Sequence, residues 1–195
     1  MVMEIYLETE RLMLRRFTPE DVDNLARLDG DPAVMRYLTG GKPTPRETIA
    51  NEALPRTLED YQRREDFGKW AAIEKSSGAF VGWFGLRPLA GSPPGEVELG
   101  YRLRSSTWNK GYATEGASAL IRKGFTELGV VRVVANTMVV NVASRRVMEK
   151  LGMTLARTYF LDWPDYIEGA EHGDVEYALL KSDWERQEAT REQKR

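Results

Sequence analysis

Apolar residues recur along this chain at two spacings, every second position and every third or fourth, and the two periods separate extended from helical segments. Glu4 to Phe17 (EIYLETERLMLRRF) shows alternation broken at both ends and is expected as the first strand. It stops at Thr18-Pro19-Glu20-Asp21, which places a hydroxyl at an N-cap, proline at the first helical position and an acid at the third. Val22, Leu25, Ala26 and Leu28 then supply a helical stripe. The same start signal returns at Thr44-Pro45-Arg46-Glu47 and opens a second helix toward Arg64, which Pro55 should kink or split. Thr39 to Pro43 between them reads as a flexible loop.

Gly68–Lys75 and Ala79–Arg87 are expected as strands joined by a tight turn at Ser76-Ser77-Gly78. After the proline-rich turn Pro88–Gly95, Glu96–Arg104 alternates cleanly. Val97, Leu99, Tyr101 and Leu103 fall on one face, Glu96, Glu98, Gly100 and Arg102 on the other. A polar loop, Ser105–Gly111, leads into a helix from Tyr112 to Leu128, whose apolar positions keep the 3.6 period. Val130–Val140 is a β-branched strand suited to burial on both sides. Asn141–Leu151 is a short helix with Asn141 as N-cap and Gly152 as its stop. Thr154–Leu161 and Asp174–Leu180 close the pattern as strands. This order predicts a mixed α/β domain with a central sheet, not a repeating βαβ chain.

Composition narrows the chemistry. The 195 residues suit one domain, here taken as residues 1–184, followed by a charged and flexible tail from 185 to 195. Lys and Arg (28) nearly balance Asp and Glu (30), which argues against a nucleic-acid-coating role. No apolar run nears the roughly 20 residues of a membrane span, and the first residues lack a signal-peptide pattern, so a cytoplasmic setting is expected. The absence of cysteine removes disulfides, thiolate metal sites and a Cys nucleophile. A single histidine, His172, removes any multi-histidine metal centre, so no metal is expected.

The informative unit is the strand–loop–helix from Glu96 to Leu128. At its turn, Asn109-Lys110-Gly111-Tyr112-Ala113-Thr114, small residues meet a helix start, where unpaired amides and the helix dipole favour an anion such as phosphate. Neither GxxxxGK[ST] nor a strand-following GxGxxG is present.

Trp108-Asn109-Lys110-Gly111-Tyr112-Ala113-Thr114-Glu115 resembles the acetyl-CoA pyrophosphate loop of the GNAT (GCN5-related) N-acetyltransferases, in the branch that includes the ribosomal-protein alanine N-acetyltransferases. Asn141-x-x-Ser144 and Glu149-Lys150-Leu151-Gly152-Met153 resemble the family's second motif. Leu7-Glu8-Thr9-Glu10-Arg11-Leu12-x-Leu14-Arg15 resembles its first strand. The three occur in the family's order over nearly the whole chain.

The resemblance implies a central twisted, mostly antiparallel sheet with helices on both faces, splayed between the fourth and fifth strands. A β-bulge near Gly100 would supply the splay. It implies acetyl-CoA as co-substrate, with pantetheine on the backbone of Tyr101, Arg102 and Leu103 and pyrophosphate on the amides from Asn109 to Thr114. Asn141 would reach the pantetheine amides or the acetyl group. Where many members carry a tyrosine that protonates the departing thiolate, this chain has Met148, and Ser144, one turn away, is the nearest substitute.

Direct transfer to a primary amine follows, since no cysteine can carry an acyl group. Glu98 is the first candidate for the base that frees the amine, or else a surface carboxylate paired with Arg102; Glu96 and His172 rank behind it. Six acids and no Lys or Arg between Thr158 and Glu176 suit a cationic acceptor. The acceptor is a protein N-terminus or a small amine; nucleic acid and membrane are not expected partners, and monomer and homodimer both stay open. An acyl-CoA-binding sensor without turnover is the alternative, favoured by Met148.

Overall fold

The computed structural model describes residues 4–163 and 165–193; Met1 to Met3, Pro164 and the last two residues of the expected tail, Lys194 and Arg195, lie outside the described residues. One eight-stranded sheet runs in the order β1-β2-β3-β4-β5-β6-β8-β7. Its strands are β1 (Ile5–Glu8), β2 (Leu12–Arg15), β3 (Gly68–Glu74), β4 (Phe80–Arg87), β5 (Glu96–Leu103), β6 (Arg132–Met138), β7 (Thr154–Tyr159) and β8 (Asp174–Leu180). Every neighbouring pair is antiparallel except β5 and β6.

The expected first strand is in fact a hairpin, β1 and β2, turning at Thr9 to Arg11; the Thr9 amide donates to Leu12 O at 2.8 Å. The expected splay therefore falls between the fifth and sixth strands, on the same two segments. No bulge marks Gly100. The β4–β5 register runs without a shift from Gly82↔Leu103 to Arg87↔Glu98. The β5–β6 ladder simply ends, as described below.

Helices cover both faces. α5 (Tyr112–Glu127) and α6 (Val142–Lys150) pack on the side carrying Phe84, Leu86, Val97, Leu99, Leu103, Val133 and Ala135, which form the larger core. Gly116 lets α5 approach closely, since a Cβ there would sit 2.4 Å from the Phe84 ring. On the other side α1 (Val22–Asp29) and α4 (Leu54–Arg63) bury Leu28, Leu54 and Tyr61 against Phe17, Ala71, Ile73 and Phe80.

At the first helix start a 3-10 turn, Pro19–Asp21, precedes α1. The working group there is the Asp21 carboxylate, which accepts from the Thr18 amide at 2.9 Å and from Arg15 at 2.6 and 2.8 Å. A further helix, α2 (Pro32–Thr39), fills a stretch for which no element was expected and takes in the first residue of the expected loop, Thr39. Its signal was present in Asp31-Pro32: the Asp31 side chain accepts from the Ala33 amide, and Gly40 closes the helix in the left-handed region at φ +65°. The second expected helix splits, as Pro55 demands, into α3 (Arg46–Thr48), a π turn at Ile49–Ala53, and α4.

The expected flexible tail is instead helix α7 (Lys181–Glu192), which follows β8 without a break. Trp184 is buried against Phe125 with ring centroids 5.5 Å apart, and Gln187 donates to Gly152 O at 3.1 Å. These contacts tie residues beyond Trp184 to the domain; the polar composition reflects the solvent face of a docked helix.

Candidate active site

β5 and β6 pair only at Glu96↔Arg132, Val97↔Val133 and Glu98↔Val134. Beyond that point each strand is held only from its outer side, β5 from Leu99 to Leu103 by β4 and β6 from Ala135 to Met138 by β8. The two therefore diverge, and the main chain of β5 from Gly100 to Leu103 has no partner strand on its β6 side. A wedge opens in the sheet with Glu98 at its vertex.

At the mouth of the wedge sits the loop before α5. Among the described residues, no backbone acceptor takes a hydrogen bond from the amides of Asn109 to Thr114. Asn109 (φ +60°) and Gly111 (φ +84°) both lie in the left-handed region, a geometry in which successive N–H groups turn toward a common point and make an anion-binding concavity. The Trp108 indole donates to Leu103 O at 2.9 Å and joins the loop to the end of β5.

The β1–β2 hairpin locks this loop. Arg11 donates through Nη1 to Lys110 O at 2.9 Å, stacks over the Tyr112 ring, and pairs with Glu115 in the first turn of α5 at 2.6 Å. Glu115 also accepts from the Thr9 hydroxyl at 2.6 Å and the Arg11 amide at 2.9 Å. Burial works against its charge, but these donors outweigh it and hold the carboxyl below the usual glutamate range. Thr9, Arg11 and Glu115, which resemblance alone singled out, thus share a physical task. Glu115→Ala frees Arg11 and the Lys110 carbonyl. It is expected to weaken CoA binding about tenfold, or roughly 1.4 kcal/mol, as read by isothermal titration.

α6 forms the wall opposite β5. Asn141 is its N-cap: Oδ1 accepts from the Ser144 amide at 3.2 Å, and Nδ2 donates to Thr137 Oγ1 at 3.0 Å. Met148 is buried in the larger core, so this position contributes packing and no hydroxyl. Ser144 does not face the wedge alone. The Tyr101 hydroxyl reaches across from β5 to within 3.0 Å of Ser144 Oγ and 3.2 Å of Ser144 O.

Glu98 points to the opposite side of β5, because residues three apart on a strand project from opposite faces. One oxygen accepts from Arg87 Nη2 at 2.9 Å, the other from Asn136 Nδ2 at 3.2 Å. Asn136 in turn accepts from the Tyr159 hydroxyl at 2.9 Å. A polar chain therefore crosses the vertex of the wedge from β4 to β7. Asn136 and Tyr159 carry no local sequence signal, since their spacing becomes meaningful only once the five strands from β4 to β7 lie side by side.

Other expectations change. Arg102 pairs with Asp29 of α1 at 2.6 Å, not with Glu98. Glu96 pairs with Arg132. His172 is exposed in a short turn beside Glu171. The acid-rich segment is not an open negative field: Asp165 pairs with Lys42, Glu168 with Arg36, and Glu176 with Arg157. The first two pairs tie the β7–β8 connection to α2 and its following loop. Asp174 is buried with no basic partner among the described residues, and burial raises its carboxyl.

The match of residues 11–154 to the model of the acetyltransferase (GNAT) domain decides the family. The chain belongs to the GNAT acetyltransferases. FsC-acetyl coenzyme A-N(2)-transacetylase of Aspergillus fumigatus is 33% identical over 184 residues, covering 91% of this chain and 77% of that protein. The putative ribosomal N-acetyltransferase YdaF of Bacillus subtilis is 28% identical over 180 residues, covering 90% and 94%. Among solved structures, the ribosomal L7/L12 alpha-N-protein acetyltransferase RimL in complex with coenzyme A superimposes with a TM-score of 0.74 at 21% identity, covering 91% of this chain and 98% of that one. Membership makes this GNAT protein an N-acetyltransferase and a user of acetyl-CoA. Among its described residues no helix is long and apolar enough to cross a membrane.

Proposed function

We propose that this GNAT enzyme transfers an acetyl group directly from acetyl-CoA to a primary amine, both substrates being bound together. The observation that carries this reading is the wedge itself. It offers unpaired strand backbone for an amide-bearing arm, free loop amides for a diphosphate, and different chemistry on its two faces.

The amides of Asn109 to Thr114 suit the pyrophosphate, with Lys110 beside them. The unpaired backbone of Tyr101, Arg102 and Leu103 suits the pantetheine arm, and Asn141 keeps one amide hydrogen for it. Bound acetyl-CoA supplies the activated acyl group. Since adjacent β5 positions face opposite ways, an amine arriving on the Glu98 face meets the wedge from one side. The sulfur leaves toward Ser144 on the other. With no cysteine in the chain, no acyl-cysteine forms, and catalysis rests on positioning and on dipoles aimed at developing charge.

Glu98 serves as base through water, its two oxygens held in place by Arg87 and Asn136. Glu98→Gln is expected to slow transfer to a lysine-type amine by at least about tenfold, and to an α-amine much less, because the α-amine is already partly neutral near pH 8. A pH–rate profile identical to wild type removes Glu98 as base.

The names of the relatives support two acceptor classes, a protein N-terminus and a small amine. Buried Met148 favours a second reading, an acyl-CoA sensor without turnover. Thermal shift with CoA and acetyl-CoA, followed by thiol release with an amine panel and peptides of varied N-termini, separates the readings. Binding with turnover supports the transferase, binding with no turnover on any acceptor supports the sensor, and neither removes both.

A further inference from the structure

Lys69 of β3 stands directly opposite Gly85 of β4, which in turn stands opposite Gly100 of β5. Residues opposed in this way share a face of the sheet. Lys69 therefore projects on the Glu98 side, in the row between the Arg87–Glu98 pair and the Trp83–Arg102 pair. The two glycines leave the rest of that row without side chains. The Trp83 ring lies over them, 3.7 and 3.4 Å from where their Cβ atoms would stand, and Lys69 Cγ is 3.3 Å from the Gly85 position. Lys69 Nζ ends 4.9 Å from the centre of the Trp83 ring, so the chain is carried from β3 over β4, toward β5.

Charge on this patch does not balance. Arg87 is matched by Glu98 at 2.9 Å and Arg102 by Asp29 at 2.6 Å. Among the described residues no carboxylate or carbonyl accepts from Lys69 Nζ. Burial, and then the charges of Arg87 and Arg102, lower its pKa from the ordinary lysine value; Asp29 and Asp60 act the other way without restoring it. The ammonium is a partly buried cation short of counter-charge, and an anion placed beside it relieves that deficit. Asp174 also lacks a partner, but it is 4% exposed and stands on β8, two strands from β5. Lys69 keeps part of its surface open.

Resting on the acetyl-transfer reading above, we infer that Lys69 binds the acceptor, taking a carboxylate that the acceptor carries a few bonds from the amine it offers at Glu98. Lys69 starts two strands from Glu98 and two residues along the sheet, and its chain, laid over β4, takes up much of that gap. A free amino acid, or a peptide whose second residue is acidic, supplies the remainder. The acids expected to attract a cationic acceptor are neutralised by their own pairs, whereas the uncompensated charge on the Glu98 face of β3 is positive.

The experiment measures kcat and KM for matched acceptors that differ only in this group: an amino acid and its amide, and peptides with aspartate or asparagine as second residue. Wild type is expected to show a lower KM for the acid of at least one pair. Preference in the first pair points to a free amino acid, in the second to a protein N-terminus. Lys69→Met keeps the stem on Trp83 and removes the charge. It is expected to cut kcat/KM for the preferred acid about tenfold more than for its neutral partner, chiefly through KM. Comparing the two ratios cancels the ordinary difference in amine pKa between acid and amide. Circular dichroism establishes that the variant is folded, and Lys69→Gln takes its place if it is not. No preference for the acid in either pair, or a preference that survives loss of the Lys69 charge, overturns the inference while leaving the transferase intact. A wild-type protein that acetylates none of these acceptors and none of the amine panel overturns the underlying reading instead.

Discussion

Gly111→Val is expected to weaken binding of CoA by about a hundredfold or more, close to 3 kcal/mol, while leaving the thermal midpoint of the free protein nearly unchanged. The backbone at Gly111 has φ +84°, a region a β-branched residue enters only at a cost of roughly 1–2 kcal/mol or by shifting the chain. A shift turns the amides of Asn109 to Thr114 away from their common focus, and the proposed pyrophosphate contact depends on their convergence. A side chain there also crowds the Arg11 guanidinium, whose Nη2 lies 3.3 Å from where a Cβ would stand. The free protein tolerates the change because the loop is exposed and its amides bond to no backbone acceptor among the described residues. Isothermal titration with CoA is the measurement. A wild-type dissociation constant in Gly111→Val would detach the pyrophosphate from this loop.

Asp21→Ala should cost about 3 kcal/mol of folding stability at neutral pH, measured by urea denaturation. Asp21 is buried, and its partner Arg15 is nearly so. Removing the carboxylate strands a guanidinium and leaves the Thr18 amide and the Asn24 side-chain amide without their acceptor. The pH dependence has a definite sign. Burial opposes the charged form, but Arg15, Thr18 and Asn24 together hold the Asp21 carboxyl below the ordinary aspartate value. The contribution is therefore full above the unfolded pKa near 3.8 and disappears as pH falls through the lower folded value. The gap between wild type and variant should be constant from neutral pH down to about 5 and close only in strong acid. A gap that closed between pH 7 and 5 would show that another group carries the effect.

Much of this protein was readable residue by residue because the deciding interactions are short-range. Thr18 to Asp21 announces a helix, Ser76-Ser77-Gly78 a hairpin, and Asn141 a cap satisfied three residues on by the Ser144 amide. The glycine-bearing loop at a helix start suggested an anion site before any fold was known, and among the described residues its amides meet no backbone acceptor. Where local reading failed, the local signal was ambiguous. Asp31-Pro32, which the pattern of apolar positions gave no role, is a cap. Lys181 to Glu192 looked like solvated tail, because one buried face built on Trp184 is hidden among charges.

The site's working geometry had no such local source. Arg11 reaches Glu115 across 104 positions, Arg102 reaches Asp29 across 73, and Tyr101 reaches Ser144 across 43. The spacing within β5 placed Glu98 and Tyr101 on opposite faces. It could not say that Asn136 would hold the one or that Ser144 would meet the other. The wedge exists because β5 and β6 are each bound more extensively to their outer neighbours than to one another, a balance among four strands. Sequence alone thus determined most of the elements and the glycine-bearing loop before α5, through capping, turn chemistry and periodicity. Only the tertiary structure decided which side chains share the cleft, because pairing across a sheet depends on how all the strands compete for partners.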